Sequence, residues 1–289
     1  MARLSRVLET IKINLRHVST FYYQEASRVS VWWLWNLPFH IFQILFSLLL
    51  FKYYAMAFGG SSPLYGVDFM TFIISGLMIN TYMDSSITVY YESISALYLG
   101  KMGIGGLHLS RRDYLRLAGI SPYTFMLARI SWRYLMETLM FILYFVAGTL
   151  IFGFQVSAKA DLALVFGIIL LGIIACSGLG LISASMYWIA GSYRGVEPIT
   201  WLVRVITPLA AGIYVPRDIL PEALKIAGDL LPQTYTVSAV REVLLGGATL
   251  PRITHYLVVL IIQTLILVPI GILLLKFSLS LERKRATIY

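Results

Sequence analysis

Six stretches of this chain are long and apolar enough to cross the hydrocarbon core of a bilayer, which takes about twenty helical residues. They lie at 31–56, 69–95, 127–153, 162–190, 199–215 and 254–277. Nothing else in the sequence narrows the fold as far, because backbone in lipid must satisfy its own hydrogen bonds, and single runs of this length do so as helices. The expected fold class is all-α: a polytopic membrane protein with six transmembrane helices in a single transmembrane domain, 1–289. Hydrophobic residues at 58%, charged residues at 13% and a mean hydropathy of +0.78 exceed what a solvated surface allows.

The net charge of +9 does not describe a nucleic-acid binder, since the 23 Lys and Arg sit at the ends of apolar runs instead of gathering in one patch. That placement sets topology and contacts anionic membrane lipid. Fifteen of them fall before the first span, in the second connector, in the fourth-to-fifth turn (Arg194) and in the tail, against six in the opposite loops. The excess puts both termini in the cytoplasm and the chain in the cell membrane.

Ahead of the first span, Leu4, Val7, Leu8, Ile11, Leu15, Val18 and Tyr22 recur at steps of three and four among basic residues. Residues 1–30 are therefore expected to form an amphipathic interface helix, resting on lipid or on protein. The first long apolar run begins only near Val31 with no small-residue cleavage site after it, unlike a cleavable signal peptide. Trp32, Trp33 and Trp35 open that run as interface anchors, and Pro38, Pro208 and Pro269 are expected to kink the helices that hold them.

Polar groups within the spans are costly and so informative. In the second, Asn80, Asp84, Thr88 and Tyr91 align at steps of four, four and three as one polar stripe. The stripe fits a face lining a pathway, and equally a face hydrogen-bonded to a neighbouring helix. Arg133 and Glu137, four apart on the third span, are placed to neutralise each other. Glu197 and Arg204 flank the start of the fifth span, followed by Thr207.

Catalytic chemistry has no foothold. There is no phosphate-binding G-x-x-x-x-G-K-[ST] loop, the Gly-rich piece at 103–106 lacks the Lys-Ser/Thr that would follow one, and no G-x-S-x-G occurs. His17, His40, His108 and His255 are scattered, and the one cysteine, Cys176, lies inside an apolar run, so no metal or disulfide site is expected. An enzyme is the weaker reading, and no cofactor is expected on this chain.

Two polar segments remain. Within 107–122, Leu107, Ser110, Tyr114 and Leu117 share a helical face with Arg111, Arg112 and Arg116 largely off it. Such a cytoplasmic helix rests on the membrane surface or docks into a partner's groove. Residues 213–250 carry apolar positions at helical spacing between Pro and Gly, and are expected to form short helices on the outer face.

The run AAGIYVPRDILP followed by LLPQTYTVSAVREVLLGG resembles the C-terminal pattern of the ABC type-2 exporter permeases. The matching positions are Gly212, Pro216, Leu220, Pro221, Pro232, Tyr235, Arg241, Leu244, Leu245 and Gly246. LRLAGISPYTFMLARI resembles the family's first cytoplasmic loop, on Leu115, Leu117, Ser121, Pro122 and Arg129. The resemblance implies a permease half that pairs with a second copy or paralogue and engages two copies of an ABC ATP-binding subunit. The docking loop falls on Leu107, Arg111, Arg112, Tyr114, Arg116, Leu117, Ser121 and Pro122, while ATP and magnesium stay on the partner. It also implies that the 213–250 helices are re-entrant near the exit. The acidic residue that family carries just ahead of the loop helix is absent at Ser110 and Arg111, with Asp113 the nearest. The function expected is export of an amphiphilic or lipid-linked substrate or drug, with a polysaccharide or glycolipid cargo, or an ion-coupled transporter using Asp84, as the alternatives.

Overall fold

The computed structural model describes residues 2–57, 68–98, 101–104, 107–191 and 197–286. Nine α-helices occur among them: α1 (Ala2–Ala57), α2 (Phe69–Tyr98), α3 (Arg111–Leu117), α4 (Pro122–Phe152), α5 (Leu162–Ile189), α6 (Pro198–Ala210), α7 (Glu222–Asp229), α8 (Pro232–Leu244) and α9 (Leu250–Ala286). A short antiparallel hairpin, β1 (Lys101–Ile104) with β2 (Leu107–Ser110), pairs Lys101 with Ser110 and Ile104 with Leu107. Among the described residues the chain is all-α as expected apart from this one small hairpin, and the hairpin shortens the helix expected over 107–122. Its first residues pair as a strand, only Arg111–Leu117 are helical, and a left-handed Gly119 (φ 69°) turns the chain into α4.

Among the described residues four helices are long and apolar enough to cross a membrane: those holding Leu37–Tyr54, Pro122–Phe152, Leu162–Ile189 and Leu250–Leu281. Together they make this a multi-pass membrane protein. The two other expected spans depart from the lipid pattern for different reasons. α2 has the length, thirty residues, but it is walled in by protein, so its sequence need not match lipid. α6 is a thirteen-residue helix, about 20 Å long, against a hydrocarbon core of about 30 Å. The expected span 199–215 is thus cut short: Ala210 ends the helix and Gly212 (φ 74°) reverses the chain. The third span starts earlier than expected, at Pro122, with Pro at the first helical turn where its missing N–H costs nothing.

α1 runs unbroken through the expected boundary between interface helix and first span at residue 30, and through Pro38. Where its side chains are described it leans on α4: Asn14 Oδ1 accepts from Thr124 Oγ1 at 3.0 Å, and Phe21 and Tyr22 meet Phe125 and Trp132 edge to face. Leu15 and Tyr23 stay exposed. The Trp32, Trp33 and Trp35 side chains and Arg194 lie outside the described residues.

α2 and α5 form the centre. α4 and then α1 pack on the α2 side, α9 covers α5, and α6–α8 fill one half of the bundle. α5 approaches its neighbours through small residues: Gly172, Cys176, Gly180 and Ala184 recur every four positions and are all buried. A Cβ at Gly180 would lie 2.5 Å from Ser86 O of α2, and one at Gly178 would lie 2.7 Å from the Leu267 backbone of α9. Gly271 returns the contact, 2.8 Å from Gly178 O. Where no water drives association, such backbone proximity supplies the packing energy between helices. α4 is joined to α2 differently, by side-chain hydrogen bonds: Tyr134 Oη to Ser86 Oγ at 2.9 Å and Tyr82 Oη to Thr138 Oγ1 at 3.0 Å.

Candidate functional site: an ion pair between α2 and α6, and the two ends of the bundle

Glu197 opens α6 as its N-cap, accepting from Ile199 N (3.0 Å) and Thr200 N (2.6 Å), which replaces partners the first helical turn lacks. Thr200 Oγ1 meets Ser183 Oγ of α5 at 2.9 Å. One turn further, Arg204 grips Asp84 of α2 in a two-pronged pair, Nε to Oδ1 at 2.8 Å and Nη2 to Oδ2 at 2.7 Å. Asp84 and Arg204 keep 30% and 49% of their side chains exposed, so the pair is only partly enclosed by the protein.

The stripe on α2 divides. Asp84 makes this ion pair and Asn80, one turn before it, is half-buried, whereas Thr88 is buried and bonds back to Ser85 O (3.5 Å), and Tyr91 packs its ring on Tyr187. On the side toward α4, Arg133 meets Glu137 at 2.8 Å, the i, i+4 pair that spacing suggests. Ser85 bridges them, donating to Glu137 Oε1 at 2.6 Å and accepting from Arg133 Nε at 3.0 Å. Glu92 stands 4.0 Å from Arg133 on the other side.

Around the α8 end, Arg241 is 97% removed from solvent, with 3% exposure, and it ties three elements together. Its guanidinium donates to Gly212 O (2.6 Å) and Ile213 O (2.9 Å) past the end of α6, and to Phe72 O (2.7 Å) and Ser75 Oγ (3.1 Å) of α2. It also lies over the Phe72 ring, 3.6 Å from the centroid. Gly76 is the residue that leaves it room, since a Cβ there would collide with the guanidinium. Nearby, Arg217 pairs with Asp229 at 2.5 Å, Tyr235 Oη donates to the same carboxylate at 3.4 Å, and Gln263 Nε2 of α9 donates to Asp229 O at 3.2 Å. Gln263 stands thirteen residues into α9, so Asp229 reaches about 20 Å along that helix from its start. Pro216 precedes the 3-10 turn Arg217–Ile219, Pro221 precedes α7 and Pro232 begins α8.

At the α3 end, Ser110 caps α3, accepting from Asp113 N at 3.3 Å and donating to the Asp113 carboxylate at 2.5 Å. This Ser-x-x-Asp arrangement resembles a capping box, a signal already present in SRRD. Asp113 is thus spent on holding its own helix. Arg111 lies over Phe125 of α4 (5.6 Å) and Arg112 over Tyr98 of α2 (5.4 Å), so two expected docking residues face inward. Burial pushes the Tyr98 hydroxyl up in pKa, while Arg112 pulls it down. Arg116 and Leu117, the latter 76% exposed, project outward, and Tyr114 is half-buried. Ser121 is the N-cap position of α4 without a side-chain bond, and the Leu107 side chain lies outside the described residues.

Three features escaped sequence reading. The Asp84–Arg204 pair joins residues 120 apart, and neither carries a local cue to the other. Arg241 reads as a basic residue at an interface, yet it is buried. The G-x-x-x-C-x-x-x-G-x-x-x-A stripe of α5 was legible as a small-residue packing face and went unread.

No curated protein matches the chain. A family model described as ABC-2 type transporter matches residues 113–245, from within α3 to the C-cap of α8. That span takes in most of α3, all of α4 and α5, Arg204 of the ion pair and the Arg241 anchor. The chain is therefore a multi-pass membrane protein that is similar, over residues 113–245, to the membrane domain of the ABC-2 type transporters.

Proposed function

We propose that this chain is the permease subunit of an ATP-driven exporter, energised by two copies of a separate ATP-binding subunit and paired with a second permease. Its cargo is amphiphilic or lipid-linked. The observation that carries this reading is the family match running through α3, a capped helix slung between the two long helices α2 and α4. Arg116 and Leu117 on its outward side supply a basic and an apolar contact for the ATPase. Movement there passes to α2 through Arg112 on Tyr98, and to α4 through Arg111 on Phe125.

The charge count supports a cytoplasmic α3 end and an α8 end on the outer side. In that orientation α2 and α6 bring the passes to six, with α6 shortened. α7 and α8 then re-enter from outside, since Asp229 reaches about 20 Å down α9. Asp84 is held by Arg204, which argues against the ion-coupled reading, where a carboxylate has to be free to take up the ion.

The test is Arg116→Glu combined with Leu117→Ser. Losing two contacts at a docking hot spot weakens association by about 2 kcal/mol or more, roughly thirtyfold. The permease should keep its melting temperature while ATPase subunit recovery and transport-stimulated hydrolysis fall. Unchanged recovery and stimulation would remove α3 from the docking surface.

A further inference from the structure

α3 begins with two arginines in succession, and they lead to different helices. Arg111 lies 5.6 Å from the centroid of Phe125 on α4, and Phe125 in turn meets Phe21 of α1 edge to face at 5.6 Å. Arg112 lies 5.4 Å from the centroid of Tyr98, the last residue of α2. The contact continues beyond Tyr98. Its ring stacks on Tyr187 of α5 at 5.5 Å and 29°, and meets Trp188 edge to face at 5.1 Å and 85°. Tyr187 and Trp188 are themselves edge to face at 5.2 Å, and Tyr91 of α2 closes on Tyr187 at 6.1 Å.

These rings do not extend the main core. Tyr187, 2% exposed, centres a small cluster of its own with Ile94 of α2 and Ala184 of α5. Three aromatic rings in mutual contact, stacked and edge-on, fix one another in distance and in angle, which flexible alkyl chains would not do. Behind them α5 is tied to α9, since the buried Ser278 Oγ donates to Ser185 O at 2.7 Å, two residues before Tyr187. A displacement of Tyr98 is therefore received by α5 and α9 together. Successive residues point about 100° apart around a helix axis. A roll of α3 thus drives Arg111 and Arg112 in different directions, the first acting on α4 with α1 and the second on α5 with α9.

We propose that Tyr98, Tyr187 and Trp188 are positioning residues for the ATP-driven step: they let Arg112 move α5 and α9 while Arg111 moves α4 and α1. The inference rests on the exporter reading, in which an ATPase moves α3, and it adds where that movement divides. The division falls at the first two residues of α3, so nucleotide binding spreads two halves of the bundle at the α3 end instead of tilting the bundle as one body. The rings touch neither nucleotide nor cargo. They act by fixing the distance between Tyr98 and the last turn of α5, so that the α2 end cannot shift without the α5 end following.

The test uses the complete complex, permease with ATP-binding subunits, in nanodiscs. Spin labels are carried by Tyr123→Cys on α4 and Phe277→Cys on α9, both exposed and both at the α3 end, in a Cys176→Ala background. Their separation is measured with and without the non-hydrolysable nucleotide AMP-PNP. Nucleotide should change it by about 2 Å or more, the scale of a helix shift. Tyr187→Leu should reduce that change about twofold, and Tyr187→Phe, which keeps the ring, should retain it. Arg112→Ala should reduce it by the same factor, and combining it with Tyr187→Leu should remove nothing further, because both break one path. Combining Arg111→Ala with Tyr187→Leu should abolish the change. If Tyr187→Leu does not fold, Tyr98→Leu breaks the same path from the end of α2. A purely structural role for these rings would lower the melting temperature and leave the nucleotide response whole. The proposal is overturned if AMP-PNP bound to the complex leaves the labels where they were, if the leucine variants keep the full change, or if the effects of Arg112→Ala and Tyr187→Leu add. Failure of the ATP-binding subunits to bind would overturn the exporter reading and this proposal with it, whereas binding with an undiminished change in the variants would overturn this proposal alone.

Discussion

The two ends of the bundle are each fastened by arginine, and in opposite ways. At the α8 end Arg241 is sunk among backbone carbonyls, where each contact is a short charge-assisted hydrogen bond in a medium without water. At the α3 end Arg111 and Arg112 lie over aromatic rings more than 5 Å away, contacts of a less directional kind worth about 0.5–1 kcal/mol each when partly wet. The comparison teaches where the molecule is stiff. In the role proposed above, a segment that reports on an ATPase works through re-formable ties, whereas a turn that fixes the end of a half-length helix needs a rigid one.

The sharpest way to break this contrast is Arg241→Ala. It strips donors from three carbonyls at once, and thermal unfolding in nanodiscs should show a loss of about 3–5 kcal/mol, or no folded protein. A smaller loss would mean that water reaches the site and that the α8 end is not the rigid one. Gly76→Ala probes the same anchor from the other side: its Cβ meets the guanidinium and lies 2.8 Å from Ile213 O, for an overpacking cost of about 1–3 kcal/mol in the same assay. Arg112→Ala should be the mildest. We expect about 0.5–1 kcal/mol in global stability, together with faster limited proteolysis between residues 99 and 121. Equal losses for Arg112→Ala and Arg241→Ala would erase the distinction between the ends.

What the sequence made legible followed from local or periodic signals. Apolar run lengths marked α4, α5 and α9, the i, i+4 spacing marked Arg133–Glu137, and the Pro and Gly spacing of 212–246 marked the family. What stayed hidden depends on tertiary surroundings. Whether Asp84 is free or paired is decided by α6, and whether Arg241 is wet or dry by α2. The length of α6 depends on a reversal at Gly212, inside a run that hydropathy alone reads as continuous. The β1–β2 hairpin was equally invisible, because a Gly-rich connector carries little alternation for a strand to announce itself.

The glycines that let α5 and α9 touch backbone to backbone have a mechanical consequence. Two rods meshed this closely have no lubricating side chains between them, so they travel as a single strut. Any shear during a transport cycle then falls on the opposite flank of α2. There α4 and α6 are held by hydroxyls and ion pairs, bonds that exchange partners without opening a void. In the proposed transport cycle the polar side is the expected slip plane, and the glycines are what put it there.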